Sequence, residues 1–290
     1  MINASMVKDL RELTGAGMLD CKKALEETQG NIEEAVTWLR EKGISKAAKK
    51  AGRIAAEGLA LAKESGNKAV IVEINSETDF VAKNEEFKEL INTIVDTILN
   101  SDAKNMDEAN VLEVNNTTIK NLIVEKISTI GEKLSFRRFE VIEKKDDETF
   151  GIYSHMGGKI VSVVVTKGDN KGLAFDIAMQ IAAMRPLYLN REDVPTEVLE
   201  KERQVQTEIA ENEGLDETKI PMIVNGRLNK YYEEVCLIEQ NFVKENKVKV
   251  GKYVADNNSS IIGFVRYEVG EGLEKREENF ADEVKKQIEG

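Results

Sequence analysis

The chain has 290 residues, 41% of them apolar and 32% charged. That composition excludes a disordered chain and, at roughly 150 residues per domain, suggests about two domains with real cores. The 41 Lys+Arg against 53 Asp+Glu leave a net charge of −12. Such a chain repels bulk nucleic acid and anionic membrane unless its basic residues are segregated.

One histidine, His155, and two cysteines, Cys21 and Cys236, cannot supply the four ligands of a His/Cys zinc site. Carboxylate-only Mg²⁺ or Ca²⁺ sites stay open. The two cysteines form no disulfide framework, so the expected compartment is reducing and cytoplasmic. Residues 1–9 lack the basic start and apolar run of a signal peptide. No stretch approaches the roughly 18 apolar residues of a membrane span.

Residues 5–43 predict three short helices. Ser5 is placed to cap the first, which carries Val7, Leu10 and Leu13 near one face and stops at Gly15. The second runs from Met18 to Thr28. Asn31 caps the third, with Glu34 three residues later as in a capping box. Gly43 is expected to end it. A unit this small is an interaction module rather than the wall of a pocket. A connector rich in Lys42, Lys46, Lys49, Lys50 and Arg53 follows. It reads either as a solvated helical linker or as a patch for RNA or an acidic partner.

Residues 68–74 alternate β-branched side chains and predict a strand. After the polar turn 75–79, a helix carries Phe87, Leu90, Ile91, Ile94, Val95 and Ile98 on one stripe. Residues 135–142 predict another strand. The second half echoes this order. Gly66-Asn-Lys-Ala-Val-Ile-Val matches Gly157-Gly-Lys-Ile-Val-Ser-Val at an offset of 91 residues. Phe136-Arg-Arg-Phe-Glu-Val matches Phe264-Val-Arg-Tyr-Glu-Val at an offset of 128. The pattern predicts a duplicated α+β unit with an insertion in the second copy.

The insertion has a clear place. A helix beginning near Pro195 runs to about Asn212, with Val198, Val205 and Ile209 as its apolar seam. Gly214 and Asp216 turn the chain, and a return helix carries Ile223, Leu228, Tyr231 and Val235. Two polar helices with a thin seam and a tight turn predict an antiparallel coiled-coil arm. A last short helix is expected around Phe280. The resulting division is 1–52 for the helical module and linker, 53–144 for the first half of the core, and 145–192 with 236–275 for the second. The hairpin takes 193–235 and the terminal helix 276–290.

No catalytic constellation stands out. Gly15-Ala16-Gly17 lacks the third glycine and the preceding strand of a dinucleotide loop, and no phosphate-loop sequence exists. Ser154 beside His155 does not follow a strand-to-helix elbow. The expectation is therefore a chain that is not an enzyme, with no catalytic residue, no metal and no cofactor. One turn is unusual. Thr78-Asp79-Phe80-Val81 puts two apolar residues at a strand-to-helix corner. Locally, Thr78 or Asp79 caps the helix and Phe80 packs back as a staple. The alternative is a probe whose Phe80 enters a partner, worth roughly 1.5–3 kcal/mol on burial.

These motifs resemble the bacterial elongation factor Ts family over essentially the whole chain. The matching blocks are residues 14–25, 78–84, 177–183 and 264–272, in the family's order. One departure is Gln180, where some relatives carry His. The resemblance implies a ubiquitin-associated-like three-helix module, a core of two related α+β halves with antiparallel sheets, the coiled-coil hairpin and a C-terminal helix. It also implies guanine-nucleotide exchange on elongation factor Tu, with no nucleotide, membrane or specific nucleic acid bound directly. Thr78, Asp79, Phe80 and Val81 are then the wedge that displaces the partner's Mg²⁺. Leu10, Arg11, Met18, Leu19 and Lys22 of the first module are implied contacts, as are His155, Phe242, Val243 and Phe280. The rival reading is an adaptor that binds a peptide or a ribosomal ligand and has no use for that loop.

Overall fold

The computed structural model describes residues 2–274, so the expected helix at 276–290 and Phe280 lie outside the described residues. The chain forms two compact units. One comprises Met1–Leu61 and Val70–Val141 with the stretch beginning at Glu268; the other comprises Ala62–Ala69 and Ile142–Tyr267. The class is α+β, as the sequence leads one to expect. Among the described residues, no helix is long and apolar enough to cross a membrane.

The first unit opens with α1 (Ala4–Thr14), α2 (Met18–Glu27) and α3 (Ile32–Lys50). Asn3, rather than Ser5, caps α1: its side-chain oxygen accepts from Met6 N at 2.9 Å. Gly15 ends α1 in the left-handed conformation that an L side chain resists. Asn31 accepts from the amides of Glu33 and Glu34, and its own amide donates to Glu34 Oε1 at 2.8 Å. Val7, Leu10, Cys21, Ala24, Leu25 and Ala35 form the small core between the three helices.

Gly43 does not end α3. The helix continues through it to Lys50, because Gly43 is buried against the later helix Ile119–Ile130. A Cβ on Gly43 would sit at an ordinary contact distance of 3.6 Å from Ser128 Cβ, so the position fits an uninterrupted helix. The basic connector is thus helical, and much of its charge is used inside the unit. Lys42 and Lys46 both bind Asp20, at 2.8 and 2.7 Å. Their hydrogen bonds hold the Asp20 carboxyl below its ordinary pKa. Lys50 donates to the Gly131 carbonyl and Arg53 pairs with Glu77. These pairings engage four of the connector's five basic residues, Lys42, Lys46, Lys50 and Arg53, within the chain.

After α3 come β1 (Glu57–Ser65), β2 (Lys68–Ser76), α4 (Asp79–Lys83), α5 (Glu85–Leu99) and α6 (Met106–Asn110). Then follow the short pair β3 (Glu113–Val114) and β4 (Thr117–Thr118), α7 (Ile119–Ile130) and β5 (Leu134–Glu143). The sheet order is β1-β2-β5. The stripe expected on α5 is buried in full: Phe87, Leu90, Ile91, Ile94, Val95 and Ile98 pack with Val70, Val72 and Ile74 of β2 and with Ile119, Ile123 and Ile127 of α7.

The second unit repeats that plan. It contains β6 (Glu148–His155), β7 (Ile160–Lys167) and α8 (Lys171–Met184), then the helical insertion, then β8 (Asn241–Phe242), β9 (Glu245–Lys249), α11 (Val250–Asp256) and β10 (Ile261–Glu268). Its main sheet has the order β10-β7-β6, with β6 and β7 antiparallel from Glu148↔Lys167 to His155↔Ile160. In each sheet a two-strand hairpin is extended, on its second strand, by the last strand of the half. The matched segments of the sequence repeat occupy equivalent strands, which supports duplication.

The insertion consists of α9 (Thr196–Asn212) and α10 (Ile220–Val235), which pack as a helical hairpin. Its seam differs from the expected one. Ala210, Ile220, Val224 and Leu228 are buried with Leu199 and Leu215 against them, while Val205 and Ile209 are exposed. The small Ala210 sits where the helices approach; the larger β-branched residues one helical step away face outward.

Candidate functional site

The corner between β2 and α4 is held on both sides. Thr78 is the N-cap of α4 in extended conformation. Its side chain makes no cap bond of its own; its hydroxyl donates to Glu132 Oε1 at 2.7 Å and its backbone N–H to Glu132 Oε2 at 3.0 Å. Ser76 donates its hydroxyl to the Thr78 carbonyl at 2.9 Å. Glu77 accepts from the Lys133 backbone N–H at 2.6 Å and pairs with Arg53 at 3.2 Å. Two neighbouring acids, one before the corner and one from the α7–β5 turn, therefore pin the strand end and the cap. On the far side Val81 is buried in the unit's core, and Asn84 caps α5 by accepting from Glu86 N at 2.8 Å.

Between those anchors Phe80 is 79% exposed. It does not pack back, so the staple account fails. Lys83 lies over its ring at 5.7 Å from the centroid and binds Asp79 at 2.6 Å. Asp79, Phe80 and Lys83 form a small amphipathic tip: an acid, a base and an apolar face on one turn of helix. A tip of this kind has its ordering cost already met by the corner, so burial in a partner retains more of its free energy.

Three expected site residues are corrected by burial. Val81 is 7% exposed and Leu10 is fully buried, so both are core residues that position their neighbours. Phe242 is 2% exposed and stacks on Tyr253 with ring centroids 4.2 Å apart. Val243 is partly buried against the same core. Gln180 explains why that segment is ordered. Its amide donates to Gln240 Oε1 and to the Asn241 carbonyl, and its oxygen accepts from Val243 N at 2.8 Å. The departure at Gln180 is thus a buried positioning residue.

The remaining expected contacts face outward. Met18 is 58% and Leu19 84% exposed, beside exposed Arg11 and Lys22. Leu13 joins them at 67% exposure, although its place on the expected inner face of α1 argued for burial. Gly15 and Gly17 turn the chain there and leave Leu13, Met18 and Leu19 around the α1–α2 connection. Two successive three-residue steps from Val7 carry Leu13 about 120° round α1, off the face that Val7 and Leu10 bury. His155 lies at the end of β6, exposed, with Tyr153 Oη 3.3 Å from its Nδ1. Phe175 meets Tyr153 edge-on.

Comparison with known families gives the decisive observation. The family model described as Elongation factor TS matches residues 77–271, well over half of the chain. The chain belongs to the elongation factor Ts family. The match begins at Glu77, so it includes the corner from its first anchoring acid onward. Elongation factor Ts proteins act in translation elongation as nucleotide-exchange factors, which places this chain in protein biosynthesis.

Proposed function

We propose that this chain binds elongation factor Tu and promotes GDP release by disturbing the partner's Mg²⁺ and phosphate site. The observation that carries the proposal is Phe80, an exposed aromatic on a corner whose strand end, cap and following residue are all fixed. Asp79 and Phe80 are the wedge. Thr78, Glu77 and Val81 set its direction. The exposed Leu13, Met18 and Leu19 group, with Arg11 and Lys22, is the second grip. In this reading the three helices form a ubiquitin-associated-like module, and the α9–α10 hairpin is a coiled-coil arm for a further contact. His155 and the half-buried Val243 supply contacts from the second half.

The mechanism is one of differential binding. A GTPase holds GDP through phosphate contacts and a bridging Mg²⁺. An exchange factor needs no contact with the nucleotide; it must bind the nucleotide-free partner better than the GDP-bound one. The coupling is reciprocal, so GDP weakens the factor as much as the factor weakens GDP. Shifting such an equilibrium about 10⁴-fold requires about 5.5 kcal/mol of differential affinity. Burial of Phe80 supplies roughly 1.5–3 kcal/mol of that, so the second grip must favour the open form as well.

The test is stopped-flow release of a fluorescent GDP from elongation factor Tu, with the native chain and with the Asp79→Ala/Phe80→Ala double variant. Fast release with the native chain and slow release with the folded variant is the expected result. Equal release from both would move the mechanism to the α1–α2 grip. No acceleration by the native chain would overturn the proposal and favour the adaptor reading.

A further inference from the structure

Three stretches that lie far apart in the chain meet at the turn between α7 and β5. Gly131 ends α7 in the left-handed conformation, and its carbonyl accepts from Lys50 Nζ at the end of α3. Glu132 holds the corner, accepting from the Thr78 hydroxyl at 2.7 Å and from Thr78 N at 3.0 Å. Lys133 reaches both ways. Its backbone N–H donates to Glu77 Oε1 at 2.6 Å, and its Nζ donates to the Arg53 carbonyl at 2.8 Å. Arg53 closes the ring by pairing with Glu77 at 3.2 Å. The end of the helical module and the root of the exposed corner are thus tied to the same turn.

The other end of α3 carries the grip. Ala35, Val36, Trp38 and Leu39 pack into the small module core. Further along, Gly43 faces Ser128, and Ala47 packs on the core that holds Ile123 and Ile127. The helix is unbroken across that change of partner. Its 19 residues give about 28 Å of continuous rod. Asp20, next to the exposed Leu19, is bound by Lys42 at 2.8 Å and by Lys46 at 2.7 Å. So α2 is braced to α3, α3 is packed on α7, and the turn after α7 is bonded to the corner. All of these residues belong to the first unit.

Resting on the exchange reading, we propose that Gly131, Glu132 and Lys133, with Lys50 and Arg53, are positioning residues that hold the Met18–Leu19 grip and Phe80 at one fixed spacing. An exposed ion pair such as Arg53–Glu77 adds little stability by itself. Its effect is on geometry. With the spacing fixed, a partner seated on the grip meets Phe80 at the same moment, and part of the seating energy goes into opening its Mg²⁺ site. With the spacing loose, the grip seats on the GDP-bound partner without the wedge, and the two partner states are no longer distinguished.

The experiment has two readouts on the full chain. The first is the distance distribution, by pulsed dipolar spectroscopy, between spin labels at Lys23→Cys and Glu85→Cys; both sites are exposed, and the native Cys21 and Cys236 are buried. The native frame should give one narrow distance, and Lys50→Ala/Arg53→Ala should at least double its width. The second readout is GDP release from elongation factor Tu over a range of factor concentrations. The double variant should lower the maximal rate about fivefold and leave the half-saturating concentration unchanged or lower, since grip and tip are both intact. Loss of folded protein would do the reverse, raising the concentration needed and sparing the maximal rate. Lys50→Arg/Arg53→Lys should restore most of the rate. Lys133→Ala, which removes only the bond to the Arg53 carbonyl, should move both readouts the same way by less. An unchanged distance distribution in the double variant would overturn the coupling, and so would a broadened one with a full maximal rate. A native chain that fails to accelerate release would overturn the exchange reading and the coupling with it.

Discussion

In the first half of the molecule β2 ends at Ser76 and turns into α4 through Glu77 and Thr78; in the second, β7 ends at Lys167 and turns into α8 through Gly168, Asp169 and Asn170. The two corners solve the same geometric problem. The second does it with a side-chain cap and bonds from neighbouring strands, and leaves no aromatic at the tip. Asn170 caps α8 by accepting from Leu173 N at 3.0 Å, Thr149 donates to the Gly168 carbonyl at 2.6 Å, and the first large apolar residue of the helix, Leu173, is buried. The first corner has Phe80 at its tip, 79% exposed, and uses Glu132, Arg53 and Lys133 from outside the turn to hold it there. A strand-to-helix corner in this fold therefore does not require an exposed aromatic. Phe80 is an addition to the frame, and its cost in exposed apolar surface points to a use outside the chain.

The strands before the corners differ in the same sense. At the 91-residue offset Glu73 corresponds to Val164, and Asn75 to Thr166. Val164 is buried in an apolar core. Glu73 is equally buried but accepts from Arg137, Arg138, the Asn75 amide and the backbone N–H of Gly270. Both central strands are packed in apolar cores, and the first half adds a buried charge cluster at Glu73. The largest expected effect follows from this contrast. Glu73→Ala leaves two arginines without their shared carboxylate and should cost about 3–5 kcal/mol. Val164→Ala removes two methyl groups and should cost about 2 kcal/mol. Denaturant unfolding of the two variants measures both. A Glu73→Ala cost smaller than that of Val164→Ala would mean the cluster is not what fixes the first strand.

The next effect separates function from stability. Asp79→Ala/Phe80→Ala should slow exchange roughly tenfold to a hundredfold, the rate equivalent of the burial energy of one Phe. It should change stability by no more than about 0.5 kcal/mol, as for an exposed site. At the second corner Asn170→Ala should do the reverse, with a loss of about 1 kcal/mol from the missing cap and no change in exchange. Thermal unfolding and GDP release, measured on both variants, give the four values. If Asn170→Ala slows exchange as much as the wedge variant does, the distinction between the corners collapses.

A smaller effect lies in the brace. Glu132→Ala removes both bonds to Thr78 while leaving Phe80 in place. The expected loss is about 1 kcal/mol in stability, with exchange slowed by less than in the wedge variant, because the tip survives but its direction loosens. Exchange that is unaffected by Glu132→Ala would show that Glu77 and Val81 suffice to aim the tip.

Much of this frame was legible in the sequence for definite reasons. Period 3.6 on α5, alternation on β2 and the paired segments at offsets of 91 and 128 are local signals, and tertiary packing agreed with them. Errors arose where packing outweighed the local signal. Gly43 carries a helix-stop signal, yet α3 runs on through it because that stretch packs against α7 beside Ser128. Val205 and Ile209 are more apolar than Ala210, yet the hairpin closes on the smaller residue. Leu10 and Phe242 sit in matched contact regions, but burial is set by distant partners that no short motif records. At Phe80 the local pattern fits a staple and a probe equally. The choice depends on Glu132, which lies more than fifty residues further along the chain.

The smallest expected effect is a pH dependence that tells the two strands apart without disrupting either. Burial alone would raise the Glu73 pKa, but the Gly270 N–H and Arg138 outweigh it and hold the carboxyl below its ordinary value of 4.5. A carboxyl whose folded pKa is depressed adds stability above its unfolded pKa and loses it as pH falls through the folded one. Native protein should therefore be more stable than Glu73→Gln at neutral pH, and the gap should narrow as pH drops below about 4.5. Val164→Ala carries no titrating group, so its cost should stay level across the same range. Parallel unfolding midpoints for Glu73→Gln and native protein from pH 7 to pH 3 would show that the ionised carboxylate contributes nothing, leaving packing as the anchor of both halves.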